Sequence, residues 1–151
     1  MEGRERRPGV MSAAEVTRLL QREFPQMASA EHRNVIEEAW HCGARVRRTF
    51  SEKSLRPGGT ISGPTMMGLT DFAMYVAILA SIGPVPLAVT TSLNINFLRK
   101  PSQRDLIAEV KLIKLGKRLA VCDVAIYSDG EEDMVAHATS TYSIPPPEAR
   151  S

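Results

Sequence analysis

SGPTMMGLTDFAMYVAILASIGP, residues 62–84, is the stretch whose reading decides the architecture. Pro64 suits a first helical turn, where a missing N–H costs nothing, and Gly83-Pro84 is a stop signal. The segment between, about Pro64 to Ser81, predicts one long helix. Met66, Leu69, Phe72, Met74, Val76, Ile78 and Leu79 leave it apolar on nearly every side. A helix without a wet face has to be wrapped by other elements. At about twenty residues it is also long enough to cross a bilayer, but Thr70 and Asp71 within it and the bounding Gly and Pro favour a buried core helix over a membrane span.

Outward from that helix, the chain supplies the wrapping. Leu87 to Leu98 alternates with a period of two, with Leu87, Val89, Thr91, Leu93, Ile95 and Phe97 on one side. Leu106–Leu115, Leu119–Tyr127 and Met134–Ile144 are the next strands, turning at Gly116 and at Asp129-Gly130. The four are expected as a meander. Upstream, Val35 to Phe50 reads as two strands or one bent at Gly43, with Arg45, Arg47 and Arg48 toward solvent or an edge. Ser51 to Gly63 is a glycine- and proline-punctuated loop. Ser12-Ala13-Ala14-Glu15 has the form of a capping box and starts a short amphipathic helix to about Glu23. The fold class is therefore α+β: a long central helix wrapped by a strongly curved antiparallel sheet of five to six strands. Residues 12–147 form a single domain, 1–11 a disordered N-terminal tail and 148–151 a C-terminal tail.

Composition narrows the function. The 151 residues carry a formal net charge of only +2, too little for a dedicated nucleic-acid binder. The basic Arg4, Arg6 and Arg7 are diluted by Glu2 and Glu5. Cys42 and Cys122 form no Cys-x-x-Cys pair and read as free thiols in a reducing cytoplasm. His32, His41 and His137 have no ligand spacing, so no metal and no cofactor is expected. No apolar leader opens the chain.

One absence is informative. Between Arg56 and Arg99 there is no Lys, Arg, Glu or His, and Asp71 is the one carboxylate. An aspartate amid apolar helical neighbours is costly to bury unless it is bonded or used. The functional reading is a general base or nucleophile; the alternative is a structural carboxylate bonded to the backbone or on a narrow solvent face. The free N–H groups at Ser62-Gly63 could polarise a carbonyl oxygen, and Gly63 has no side chain in the way. Gly63 and Asp71 are eight residues apart. At ~1.5 Å rise per residue they stand roughly 12 Å apart along the helix, too far for one carbonyl to touch both. If both act on it, they come from different subunits of a homodimer with antiparallel helices.

Gly59-Thr60-Ile61-Ser62-Gly63-Pro64, followed by Leu69-Thr70-Asp71-Phe72-Ala73, resembles the signature of hotdog-fold acyl-CoA thioesterases of the PaaI type. The resemblance continues through Asn94-Ile95-Asn96-Phe97-Leu98, Pro101 and Lys114 to Ala120, and spans about Val35 to Ile144. It implies a hotdog fold, assembly as homodimers or homotetramers, and an acyl-CoA substrate, with coenzyme A entering as part of that substrate. By carry-over, Asp71 is the catalytic carboxylate, Gly63 supplies the polarising N–H, and Thr90 orients the water. Lys117 and Arg118, with Arg99 and Lys100 behind them, meet the nucleotide end of coenzyme A. Ser62 stands where the pattern has His, Pro64 replaces the second Gly, and no Asn stands near Arg56. Met66, Met67 and Met74 either line an acyl tunnel or simply pack. A non-catalytic acyl-CoA or aromatic-acid binding module on the same scaffold is the alternative function. Enoyl-CoA hydration ranks below both, because no His follows Asp71.

Overall fold

The computed structural model describes residues 6–25 and 33–146. In chain order the elements are α1 (Ala13–Glu23), β1 (Asn34–Trp40), β2 (Gly43–Arg48), a single 3-10 turn (Glu52–Ser54), β3 (Leu55–Arg56), β4 (Thr60–Ile61), α2 (Gly63–Ile82), β5 (Val89–Phe97), β6 (Leu106–Leu115), β7 (Leu119–Ser128) and β8 (Met134–Ser143). Six strands form one antiparallel sheet in the order β1-β2-β6-β7-β8-β5. β3 and β4 pair only with each other, so the segment read as a loop carries a short hairpin of two-residue strands ahead of α2.

α2 lies across the inner face of the sheet. Leu69, Met74, Val76, Ile78 and Leu79 are fully buried there against Val46, Val110, Val124 and Ile126. Fully burying side chains of this size contributes about 1.5–3 kcal/mol each relative to exposure. The helix is long and apolar enough to cross a membrane, and most of it is enclosed within this core. Ser12 closes the capping box of α1 with Glu15 in both directions, and Val16, Leu19 and Leu20 seat α1 on the core. Residues 6–11, read as part of a tail, run against the domain: His41 N–H donates to Arg7 O at 2.9 Å, Met11 N–H donates to Ala80 O at 3.2 Å, and the Arg6 guanidinium stacks over Trp40. The rest of that segment, the C-terminal tail and His32 lie outside the described residues.

Two expectations are corrected. β6, β7 and β8 form a meander, but β5 does not join it beside β6; it pairs with β8 at the far edge. The link after β5 crosses the sheet end instead. Leu98 and Arg99 N–H groups donate to Val135 O, and Ser102 N–H donates to Ser128 Oγ. Alternation marks a strand but not its neighbour. The second correction concerns the β5 face. A bulge between Thr90 and Ser92 adds a residue, so Thr90 pairs with Tyr142 while Leu93 and Ile95 pair with Ser140 and Ala138. All three β8 partners are buried. Thr90 therefore turns inward beside Leu93 and Ile95, and Val89 turns outward, as a one-residue bulge requires.

Candidate functional site

Pro64, Met67 and Gly68 on α2 are exposed and Asp71 is half-buried. Their three- and four-residue spacing puts them on one stripe of the helix, the one side that the sheet does not cover. Asp71 is the single charged group on it. Thr90 Oγ1 donates a hydrogen bond to Asp71 Oδ1. Tyr142 Oη sits 3.0 Å from the same Oδ1 and 3.0 Å from the Asp71 backbone oxygen. Two hydroxyls thus converge on Oδ1, and among the described residues no donor meets Oδ2. An ionised carboxylate has about four lone-pair sites to fill, so the open oxygen can take a proton from water or attack a carbonyl carbon.

The bulge in β5 is what delivers Thr90 to this carboxylate. Tyr142 comes from the inward face of β8, behind Ala136, Ala138 and Ser140. Its phenol is pushed well above the usual tyrosine range, first by burial and then by the Asp71 charge, so it stays a donor. Sequence reasoning missed Tyr142. Its only signal was a large polar residue on an otherwise small-residue face, with its partner 71 positions away.

The other half of the expected site lies at the N-terminus of α2, about two turns before Asp71. Ser62 is the N-cap: its Oγ accepts the Thr65 N–H at 3.3 Å and is 2.8 Å from Thr65 Oγ1. Gly63 follows as the first helical residue, and among the described residues no acceptor meets its N–H. The Phe97 ring lies over it, such that a β-carbon at Gly63 would come within 3.2 Å of Phe97 Cζ. Lys117 and Arg118 are exposed on the β6–β7 turn. The register Ala120↔Tyr142 puts that turn at the Asp71 end of the sheet. Arg118 Nε donates to Ile144 O at 3.2 Å. Arg99 is at the Gly63 end, where Nε donates to Met134 O at 2.9 Å and the guanidinium faces Asp133 at 3.6 Å. One chain therefore joins Asp71 to Thr90 and Tyr142, sets Lys117 and Arg118 on a turn at the same end of the sheet, and holds Ser62, Gly63 and Arg99 apart from them.

Elsewhere, His137 is bonded to Asp123 on the outer face of the sheet, and Cys122 is buried with its thiol pushed up to about 12 by burial. Neither reaches the stripe.

The thioesterase superfamily model matches residues 58–135, from the loop before α2 into β8. The chain belongs to the thioesterase superfamily. It is 31% identical over 136 residues to an esterase-designated protein of Saccharolobus solfataricus, covering 89% of this chain and 87% of the relative. Among solved structures, a thioesterase-designated protein of Silicibacter sp. is 41% identical, with a TM-score of 0.81 over 91% of this chain and 94% of that one. The Escherichia coli PaaI protein of the phenylacetic acid degradation operon is 19% identical, with a TM-score of 0.76 over 88% of this chain and 93% of that one, a likeness of fold. This superfamily member has the hotdog fold, an α+β arrangement of one helix held in a six-stranded sheet, and is a thioester hydrolase. The PaaI resemblance read from the Ser62–Asp71 motif holds at the level of the family and fold.

Proposed function

We propose that this thioester hydrolase acts on an acyl-CoA with a small or medium acyl or aryl group, with Asp71 as the base or nucleophile. The observation that carries the reading is the convergence of the Thr90 and Tyr142 hydroxyls on Oδ1 of the one carboxylate on the open stripe of α2. A carboxylate oriented by two donors and open on its other oxygen suits water activation at a thioester carbonyl.

The polarising group comes from a second copy. Along the open stripe and the β5 edge, Met67, Leu87, Phe97 and Leu98 are 40–56% exposed, and β5 is a sheet edge. An apolar patch beside an unpaired edge supports edge-to-edge pairing of β5 across a two-fold axis. In such a homodimer the helices run antiparallel. The Gly63 N–H of one copy then meets the Asp71 of the other, and its Arg99 joins Lys117 and Arg118 as cations for the coenzyme A phosphates. Two dimers stacking into a homotetramer would leave these sites intact.

Thiol release from a panel of acyl-CoAs (short, medium, long and aryl) tests the reading, wild type against Asp71→Ala, with folding followed by circular dichroism. Wild-type turnover that falls by about 10³-fold or more in a folded variant supports it. Saturable acyl-CoA binding without turnover on any member would move the protein to the binding-module reading. Ser62 favours that second reading to this extent: its hydroxyl caps the helix where the PaaI pattern has a histidine.

A further inference from the structure

We propose that Tyr142 is a positioning residue for Asp71, fixing the carboxylate so that Oδ2 alone faces the substrate. The inference rests on the reading of Asp71 as the reacting carboxylate. An aspartate has two rotatable side-chain bonds, and a helix surface alone does not lock them. A single phenol oxygen lies 3.0 Å from both the backbone oxygen and Oδ1 of Asp71. Its one proton, shared between those two acceptors, ties the side chain to its own main chain and fixes which carboxylate oxygen turns inward. Thr90 approaches the same Oδ1, so the two donors act on one atom rather than sharing the pair.

The phenol is itself held. Tyr142 is 2% exposed. Its ring is stacked with that of Tyr75 at a centroid distance of 6.4 Å and an interplanar angle of 16°. Tyr75 is one helical turn beyond Asp71 on α2, its hydroxyl donates to Pro86 O at 2.9 Å, and Phe24 meets its ring edge-on at 6.0 Å. The row Phe24–Tyr75–Tyr142 joins α1, α2 and β8 behind the carboxylate. A side chain needed only for packing could end in a hydrogen at the para position. This one places a buried hydroxyl on the carboxylate, where an unpaired phenol would otherwise cost free energy.

Tyr142→Phe keeps the ring and removes the hydroxyl. With the best acyl-CoA of the panel, kcat is expected to fall about 10- to 100-fold while KM and the affinity for a non-hydrolysable thioether analogue stay within about twofold. The Thr90→Val and Tyr142→Phe effects should also be strongly non-additive in the double variant, because both donors serve Oδ1. A purely structural role would lower the melting temperature and leave kcat, and that result overturns the proposal. Phe24→Leu loosens the ring row without touching a hydroxyl; it provides a second check, with a smaller loss in kcat at constant KM expected and an unchanged kcat counting against. Asp71→Ala separates the two levels. If that variant keeps turnover, the Asp71 reading itself fails. If it is inactive while Tyr142→Phe keeps full kcat, only the positioning role fails.

Discussion

The Ser62 hydroxyl is committed twice over, accepting the Thr65 N–H and bonding the Thr65 hydroxyl at the start of α2. Ser62→Ala should therefore cost about 1 kcal/mol of stability, the usual worth of an N-cap, and leave kcat close to wild type. Thermal unfolding and steady-state turnover on the same sample check this; a collapse of kcat at an unchanged melting temperature would assign Ser62 to the chemistry instead. Asp71 was legible from sequence because charge is so sparse around it: one carboxylate between Arg56 and Arg99 stands out without any structure. Gly63 was legible for the same local reason, a glycine at a helix start. Tyr142 was not. Its role depends on which strand lies beside α2 and on which face its ring points, and nothing within a few residues of it records either.

Among the elements, the helices and the three long strands after residue 105 were readable, since period and stop signals are local. The β5 bulge was not, because an added residue leaves no mark in a strand that already alternates polar and apolar residues. It is testable directly. Deleting Thr91 removes the extra residue and leaves a regular ladder, in which Thr90 still faces inward opposite Tyr142 beside Leu93 and Ile95. The variant should fold and keep most of its turnover, while turnover lost in a folded variant would show that the local twist of the bulge, and not the inward face alone, brings Thr90 to Asp71. A second test at this scale concerns the outer face. Arg47 on β2 meets Glu37 at 3.2 Å, Asp105 at 3.1 Å and Asp129 at 2.8 Å, joining β1, β2 and the β7–β8 turn. Hydrogen bonding to Arg47 holds the Asp129 carboxyl below its usual range. A depressed carboxylate contributes stability above its unfolded-state pKa, and that contribution is lost as pH falls through the folded value. Unfolding measured across the acidic range should therefore show stability dropping as Asp129 protonates, with a shallower drop in Arg47→Met; parallel curves for the two proteins would remove the network from the account.

For the whole molecule, the sequence supplied the α+β class and the wrapped helix; the second subunit is part of the proposal, and follows from helix rise if Gly63 and Asp71 act on one carbonyl. It did not supply the edge position of β5, because strand order is set by the link that crosses the sheet end at Val135 and Ser128. The eight-residue separation of Gly63 and Asp71 along one helix has a genetic consequence. Each active centre of the proposed pair borrows one half from either chain, so two different defects need not be recessive to one another. Gly63→Pro removes the N–H at a first-turn position that proline tolerates, with its ring set against Phe97, and Asp71→Ala removes the carboxylate; each alone is expected to be inactive. Dissociated and re-annealed together, half the particles should be hybrids, each with one intact centre and one doubly damaged. Turnover should return to about a quarter of the wild-type level, and a mixture that stays dead would place both groups in a single chain.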